Sequence, residues 1–145
     1  MTVKEYLSQL QDLEEEICEQ QEYIDTLRES LTSIGGLDMN PDKVQTSGAD
    51  KDKFATVIAK ILDAEEKLKK MEEKRCLLKV QIAEQIHQMD DLVLKKLLKL
   101  RYIDWKEHNT IMKVSEALGY SYDYTKELHR NALEAFGRMF LPLTP

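Results

Sequence analysis

Glycine and proline are scarce in this chain, with five and three among 145 residues. Tight turns draw heavily on both, so a fold of many short, closely turned elements is excluded in favour of a few long ones. Aromatic residues make up only 7%, while a third of the residues are charged. That balance points to an all-α fold with long helices. No stretch approaches the roughly 20 consecutive apolar residues of a membrane span. The first residues, MTVKEYLSQLQDLEEE, are acidic and lack an apolar core, so no secretory signal is expected. The only two cysteines, Cys18 and Cys76, have no CxxC or His-ligand spacing, which suits a reducing, cytoplasmic setting. A disulfide between them stays open, because two antiparallel helices could bring them close.

Catalytic patterns are missing as well. There is no phosphate-binding glycine loop, no nucleophile elbow and no HExxH zinc motif. The three histidines, His87, His108 and His129, are scattered without a second ligand at i+4. No enzyme, metal or cofactor is expected.

Net charge is −6, and its distribution is uneven. Residues 1–50 carry 3 Lys/Arg and 12 Asp/Glu, or −9. Residues 51–89 carry 9 and 7, and residues 90–145 carry 9 and 8, or +2 and +1. The acidity therefore belongs to the first segment, and the last is close to neutral. Local distribution rather than the total decides which ligands a surface attracts.

What the sequence has in abundance is heptad order. Val3, Leu10, Ile17, Ile24 and Leu31 recur at one position, and Tyr6, Leu13, Gln20, Leu27 and Ile34 three residues after each. Nine of these ten positions are apolar, the signature of a coiled-coil seam. Thr2 and Glu5 have the spacing of a capping box, and Gly35-Gly36 are suited to end the helix. A linker over 35–50 holds three of the five glycines. A second run then places Phe54, Ile61, Leu68, Arg75, Ile82 and Met89 at one position and Val57, Ala64, Met71, Leu78, Gln85 and Leu92 at the other.

The simplest product is a long antiparallel helical hairpin over 1–89. Gln20, Arg75 and Gln85 interrupt its seam, either to fix register or because the seam tolerates them. Glu14-Glu15-Glu16 and Glu65-Glu66 read as solvated helix faces. Ile58, Leu62, Leu77 and Val80 lie off the seam. They are expected to form a homodimer contact through the coiled coil; the alternative is that they pack on the C-terminal domain or face solvent.

A second domain over 90–145 is expected. Asp90-Asp91 suit a helix start, and Leu92, Leu94, Leu97, Leu98, Leu100 and Ile103 make a helix too apolar for full exposure. Asp104 to Asn109 reads as a polar loop, followed by a short helix from about Thr110 to Leu118. Gly119 permits positive φ at the turn, and Ser121 is a suitable N-cap for a last helix reaching about Phe140. Pro142 and Pro145 mark a frayed tail. Val114 and Leu118 form the inner face of the short helix, and Ser115 is small enough for the next helix to cross closely. Thr125, Leu128, Ala132, Leu133 and Phe136 turn inward on the last helix. Tyr122, Asp123, Tyr124, Lys126, His129 and Arg130 are left facing outward. Such a helix-turn-helix docks its second helix, about 121–137, in the major groove of DNA.

The stretches Val114-Ser115-Glu116, Leu118-Gly119-Tyr120-Ser121 and Arg130-Asn131-Ala132-Leu133 resemble region 4 of bacterial sigma factors and related regulators. The run LLKLRY over 97–102 resembles the helix before that motif. The layout, a coiled coil with no sigma region 2, is most similar to phage-encoded late-gene transcription regulators of Gram-positive bacteria. The resemblance implies a transcription regulator that binds double-stranded DNA and has RNA polymerase as a candidate partner. Thr125 departs from it, since the family usually carries a branched apolar residue there, and acidic Asp123 is a second departure.

The candidate DNA-binding residues are Ser121, Tyr122, Tyr124, Lys126, His129, Arg130, Lys99 and Arg101. Lys126 and Arg130 suit phosphate or base contact. Tyr122, Tyr124 and His129 suit base edges or sugars, although the two tyrosines could be surface packing residues instead. Lys95, Lys96, Lys99, Arg101 and Lys106 form a basic cluster that either positions a duplex or is an ordinary solvated face. The rival to DNA binding is an interaction module that docks on RNA polymerase or another regulator.

Overall fold

The computed structural model describes residues 1–33 and 48–141, and among them every regular element is helical. Helix α1 spans Val3–Leu31 and α2 spans Gly48–His87. Helix α3, Leu92–Leu98, runs into a π-helical turn over Lys99–Ile103. Two further helices follow, α4 at Ile111–Leu118 and α5 at Tyr122–Phe140. The seam residue Ile34, the pair Gly35-Gly36, most of the 35–50 linker, Pro142 and Pro145 lie outside the described residues.

The starts of these helices follow from local hydrogen bonding. Four leading N–H groups of any helix lack internal partners, and here side chains supply several. The Glu5 N–H donates to Thr2 Oγ1 at 3.1 Å and the Thr2 N–H to Glu5 Oε2 at 3.0 Å, a reciprocal capping box. Asp91 accepts from the N–H groups of Val93 and Leu94 ahead of α3. Thr110 caps α4 and Ser121 caps α5 in the same way. Between the last two helices, Gly119 takes φ +77°. The Gly119 and Tyr120 N–H groups both donate to the Ser115 carbonyl, which closes α4 as in a Schellman motif.

The chain divides into two compact units, Met1–Glu14 with Arg75–Pro145, and Glu15–Lys74. In the first, Leu7, Leu10, Ile82, Ile86 and Met89 share one core with Leu97, Leu98, Tyr102, Val114, Ala132 and Phe136. The core therefore runs across position 90, where the sequence suggests a boundary. The beginning of α1 and the end of α2 are as much a part of it as α3 to α5. Gly137 marks the close approach of α5 to the first turn of α1, since a Cβ there would lie 2.8 Å from Val3 Cγ2. In the second unit, Ile17, Ile24, Ile61 and Ala64 are buried.

The buried and half-buried residues of α1 and α2 largely follow the heptad seam, with Leu7 and Ile86 added where the C-terminal core covers them. Phe54 and Leu92, both assigned to the seam, are exposed, because each stands at an end of the pattern. All three polar interruptions have partners. Tyr6 Oη donates to Gln85 Oε1 at 2.6 Å. Arg75 pairs with Glu14 at 3.2 Å, and Gln20 Nε2 donates to the Ala64 carbonyl at 3.0 Å. Arg28 and Glu65 add a more exposed ion pair. Cys18 and Cys76 are both exposed free thiols. No helix among the described residues is long and apolar enough to cross a membrane.

Nothing in the spacing of the sequence announces the π-helical turn. Its defining bond is Asp104 N–H to the Lys99 carbonyl, 2.9 Å and five residues back. The widened turn lets Leu97 and Tyr102, also five apart, both point into the core.

Replacing Gly119 by alanine is expected to destabilise the protein by about 1–2 kcal/mol, the cost of left-handed backbone for a residue with a Cβ. A Cβ would meet nothing within 4 Å, so the whole effect is conformational. Asparagine should cost less than alanine. Denaturant midpoints of the two variants check this, and an alanine variant as stable as the parent refutes it.

Candidate nucleic-acid interface

The exposed start of α5 is set by what lies beneath it. Ser115 and Val114 on α4 are buried, and so are Thr125, Ala132 and Phe136 on α5. Ser115 satisfies its hydroxyl on the Met112 carbonyl at 2.6 Å, which leaves a small, self-contained surface for α5 to cross. Thr125 is fully buried, and its hydroxyl donates to the Ser121 carbonyl at 2.8 Å. This explains how a hydroxyl is tolerated at a fully buried position. The methyl packs, and the oxygen is satisfied within the helix.

With that side inward, Tyr122, Lys126 and Arg130 form an exposed row at i, i+4 and i+8. The Lys126 ammonium sits 5.3 Å from the centre of the Tyr122 ring, a cation–π distance. Tyr124 points to another side and meets Tyr120 edge to face, with ring centres 5.3 Å apart. Tyr120, which the sequence assigns only to the turn, thus joins the exposed aromatic surface. Its signal is its position one residue after the turn glycine. Ser121 is exposed, and its oxygen is engaged in capping. The exposed carboxylates of Asp123 and Glu127 stand among these groups, so the face has cations to offer but no strong net field.

His129 departs from expectation. It lies four residues after Thr125 and three before Ala132, which places it on the inward stripe rather than the outer face. Its Nε2 is 2.7 Å from Tyr102 Oη, and the two rings stack with centres 5.9 Å apart. Burial above all, then the positive charges of Arg101 and Lys4, push the His129 pKa down to about 4. Burial likewise raises the Tyr102 hydroxyl to about 12, against a smaller lowering by Arg101. At neutral pH both groups are therefore uncharged. The pair pins the π-helical turn to the middle of α5, with His129 Nε2 engaged by the Tyr102 hydroxyl. The i+4 relation of His129 to Thr125 is the legible signal for this.

Arg101 is only half exposed. Its guanidinium lies 5.1 Å from the Tyr102 ring centre, and its buried Nη1 has no hydrogen-bond partner among the described residues. Lys99 is exposed. Together with Lys95, Lys96 and His87 it rims a cleft of about 220 Å³ over Ala83, Ile86 and Ile103. Among the described residues no carboxylate lines this cleft, so the basic cluster keeps its charge unneutralised there. Lys106 lies elsewhere, against Trp105 in a larger cleft of about 340 Å³ that also contains Glu14, Asp104 and Glu107. Among the described residues no group of side chains could hold a metal ion. No protein-family model, curated protein or solved structure matches the chain.

The depressed pKa of His129 has a sign that can be checked. Above pH 6.5 the imidazole is neutral in both folded and unfolded chains and has no effect on their balance. Between 6.5 and about 4 the unfolded chain binds the proton and the folded one does not, so stability falls as pH falls. His129→Phe should flatten that part of the curve. The check is the difference between parent and variant in denaturant midpoint from pH 7 to 4, since the carboxylates common to both then cancel. Parallel curves would refute the assignment.

Proposed function

We propose that the chain is a DNA-binding transcription regulator. In this reading α4 and α5 are a helix-turn-helix, and α5 enters the major groove. The observation that carries it is the exposed row Tyr122, Lys126 and Arg130 at the start of a helix fixed by a left-handed glycine turn and a serine cap. A helix held this rigidly at its base can place two cations and an aromatic edge at one depth in a groove. The likeness of 114–133 to sigma region 4 supports the same role, with phage-encoded late-gene regulators as the nearest type.

Each part then has a task. Lys126 and Arg130 contact phosphates or bases. Tyr122 and Tyr124 contact sugars or base edges, with Ser121 beside them. Lys95, Lys96 and Lys99 lie along the flanking backbone, where cations position without reading sequence. Helices α1 and α2 form an antiparallel hairpin that joins two copies. His129 has no contact role, and Arg101 a secondary one.

A second reading rests on charge. Residues 90–145 carry only +1, and Asp123 and Glu127 interrupt the outer face. An interaction module that binds RNA polymerase or another regulator without touching DNA needs no stronger field.

The test uses the full chain, because residues before 90 supply part of the core that supports α5. Duplexes selected from a random pool are titrated against parent, Lys126→Ala and Arg130→Ala at several salt concentrations. Each substitution should weaken binding several-fold. The slope of log K against log salt should become shallower by about one for each phosphate that no longer has a cation against it. If the variants bind as the parent does, or the parent recovers no duplex at low salt, the interaction-module reading replaces this one.

A further inference from the structure

Phe54, Ile58 and Leu62 are 39%, 36% and 61% exposed. They lie in the unit whose buried α2 positions are Ile61 and Ala64, so the three form an apolar stripe beside the core face. The next residues on the same stripe are Lys51 on one side and Glu65 on the other. At 3.6 residues per turn, all five fall within an arc of about 80°.

Their spacing is 3, 4, 4 and 3 residues, which reads the same in both directions about Ile58. The hydropathy also reads the same in both directions, while the terminal charges invert. We propose that this face of α2 packs on the same face of a second copy, antiparallel, about a two-fold axis at Ile58. An isologous contact requires a surface that complements itself. Here Ile58 meets Ile58, Phe54 meets Leu62, and Lys51 meets Glu65 at both ends.

The charges select the orientation. Parallel pairing would set Lys51 against Lys51 and Glu65 against Glu65, whereas antiparallel pairing forms two opposite-charge pairs. Glu65 also pairs with Arg28 of its own copy, and its carboxylate keeps acceptor positions for Lys51 of the second copy. Leu77 and Val80, also exposed, fall outside the palindrome and are not needed.

The test needs no DNA, so its outcome is separate from that of the DNA-binding reading. Sedimentation of the full chain over a range of concentrations should show a monomer–dimer equilibrium. Ile58→Lys puts two ammonium groups on the axis and should raise the dissociation constant at least tenfold. Lys51→Glu and Glu65→Lys should each weaken the dimer about tenfold, since each creates two like-charge pairs. Mixing those two variants in equal amounts should restore dimers of near-parental affinity, because both end pairs are then opposite in charge. Unchanged helical circular dichroism shows that each variant is folded. A monomeric parent, a larger oligomer, a dimer indifferent to Ile58→Lys, or a mixture that stays monomeric would each overturn the proposal.

Discussion

Polar groups placed in an apolar seam must find partners there, and much of this structure depends on that constraint. Leaving a donor or acceptor unpaired costs more the more deeply it is buried, and these seam residues are half-buried, whereas apolar residues in a heptad seam tolerate a shift by whole repeats. Gln85 with Tyr6, Arg75 with Glu14, and Gln20 with the Ala64 carbonyl meet in the register of this structure, and a shift by a whole repeat would separate each pair. Apolar side chains supply the attraction between α1 and α2. The three polar contacts choose among the alignments that attraction would allow, which is the best-attested role of such residues.

Register matters because the ends of the long helices have a second task. Leu7, Leu10, Ile82, Ile86 and Met89 complete the core around Phe136 and Leu97. Helices α3 and α4 are short, at 7 and 8 residues, and with α5 alone they have little apolar surface to bury. A slip of α1 against α2 would move those five residues and withdraw support from α5. The Tyr102–His129 hydrogen bond and the π-helical turn then set the orientation of the last helix. Together they leave Tyr122, Lys126 and Arg130 on its outer side.

The outer side is chemically balanced rather than strongly basic. Two cations there are matched by Asp123 and Glu127, and the cleft rimmed by Lys95, Lys96 and Lys99 carries the less compensated charge. A single copy with so weak a field would hold an anionic partner loosely. The pairing proposed for the α2 stripe would offset this, because two linked sites bind far more tightly than one.

The sequence by itself determined the helical class, the two seams, the capping box at Thr2, the helix start at Asp90-Asp91, the cap at Ser121 and the turn at Gly119, whereas the cap at Thr110 was seen only in the structure. All of these are local: heptad spacing, side-chain-to-backbone bonds and the φ freedom of glycine act within a few residues. The exposed row at 122, 126 and 130 was legible for the same reason. Tertiary structure alone decided that the core crosses position 90, that Leu7 belongs to it, that each polar seam residue has a partner, and that Lys99 to Ile103 widens into a π-helical turn. His129 lies between the two groups. Its place on the inward stripe was written in the i+4 spacing from Thr125, but the reason a histidine can stay there uncharged is Tyr102, 27 residues away. Sequence spacing decides which side of a helix a residue occupies, and only packing decides what it meets there.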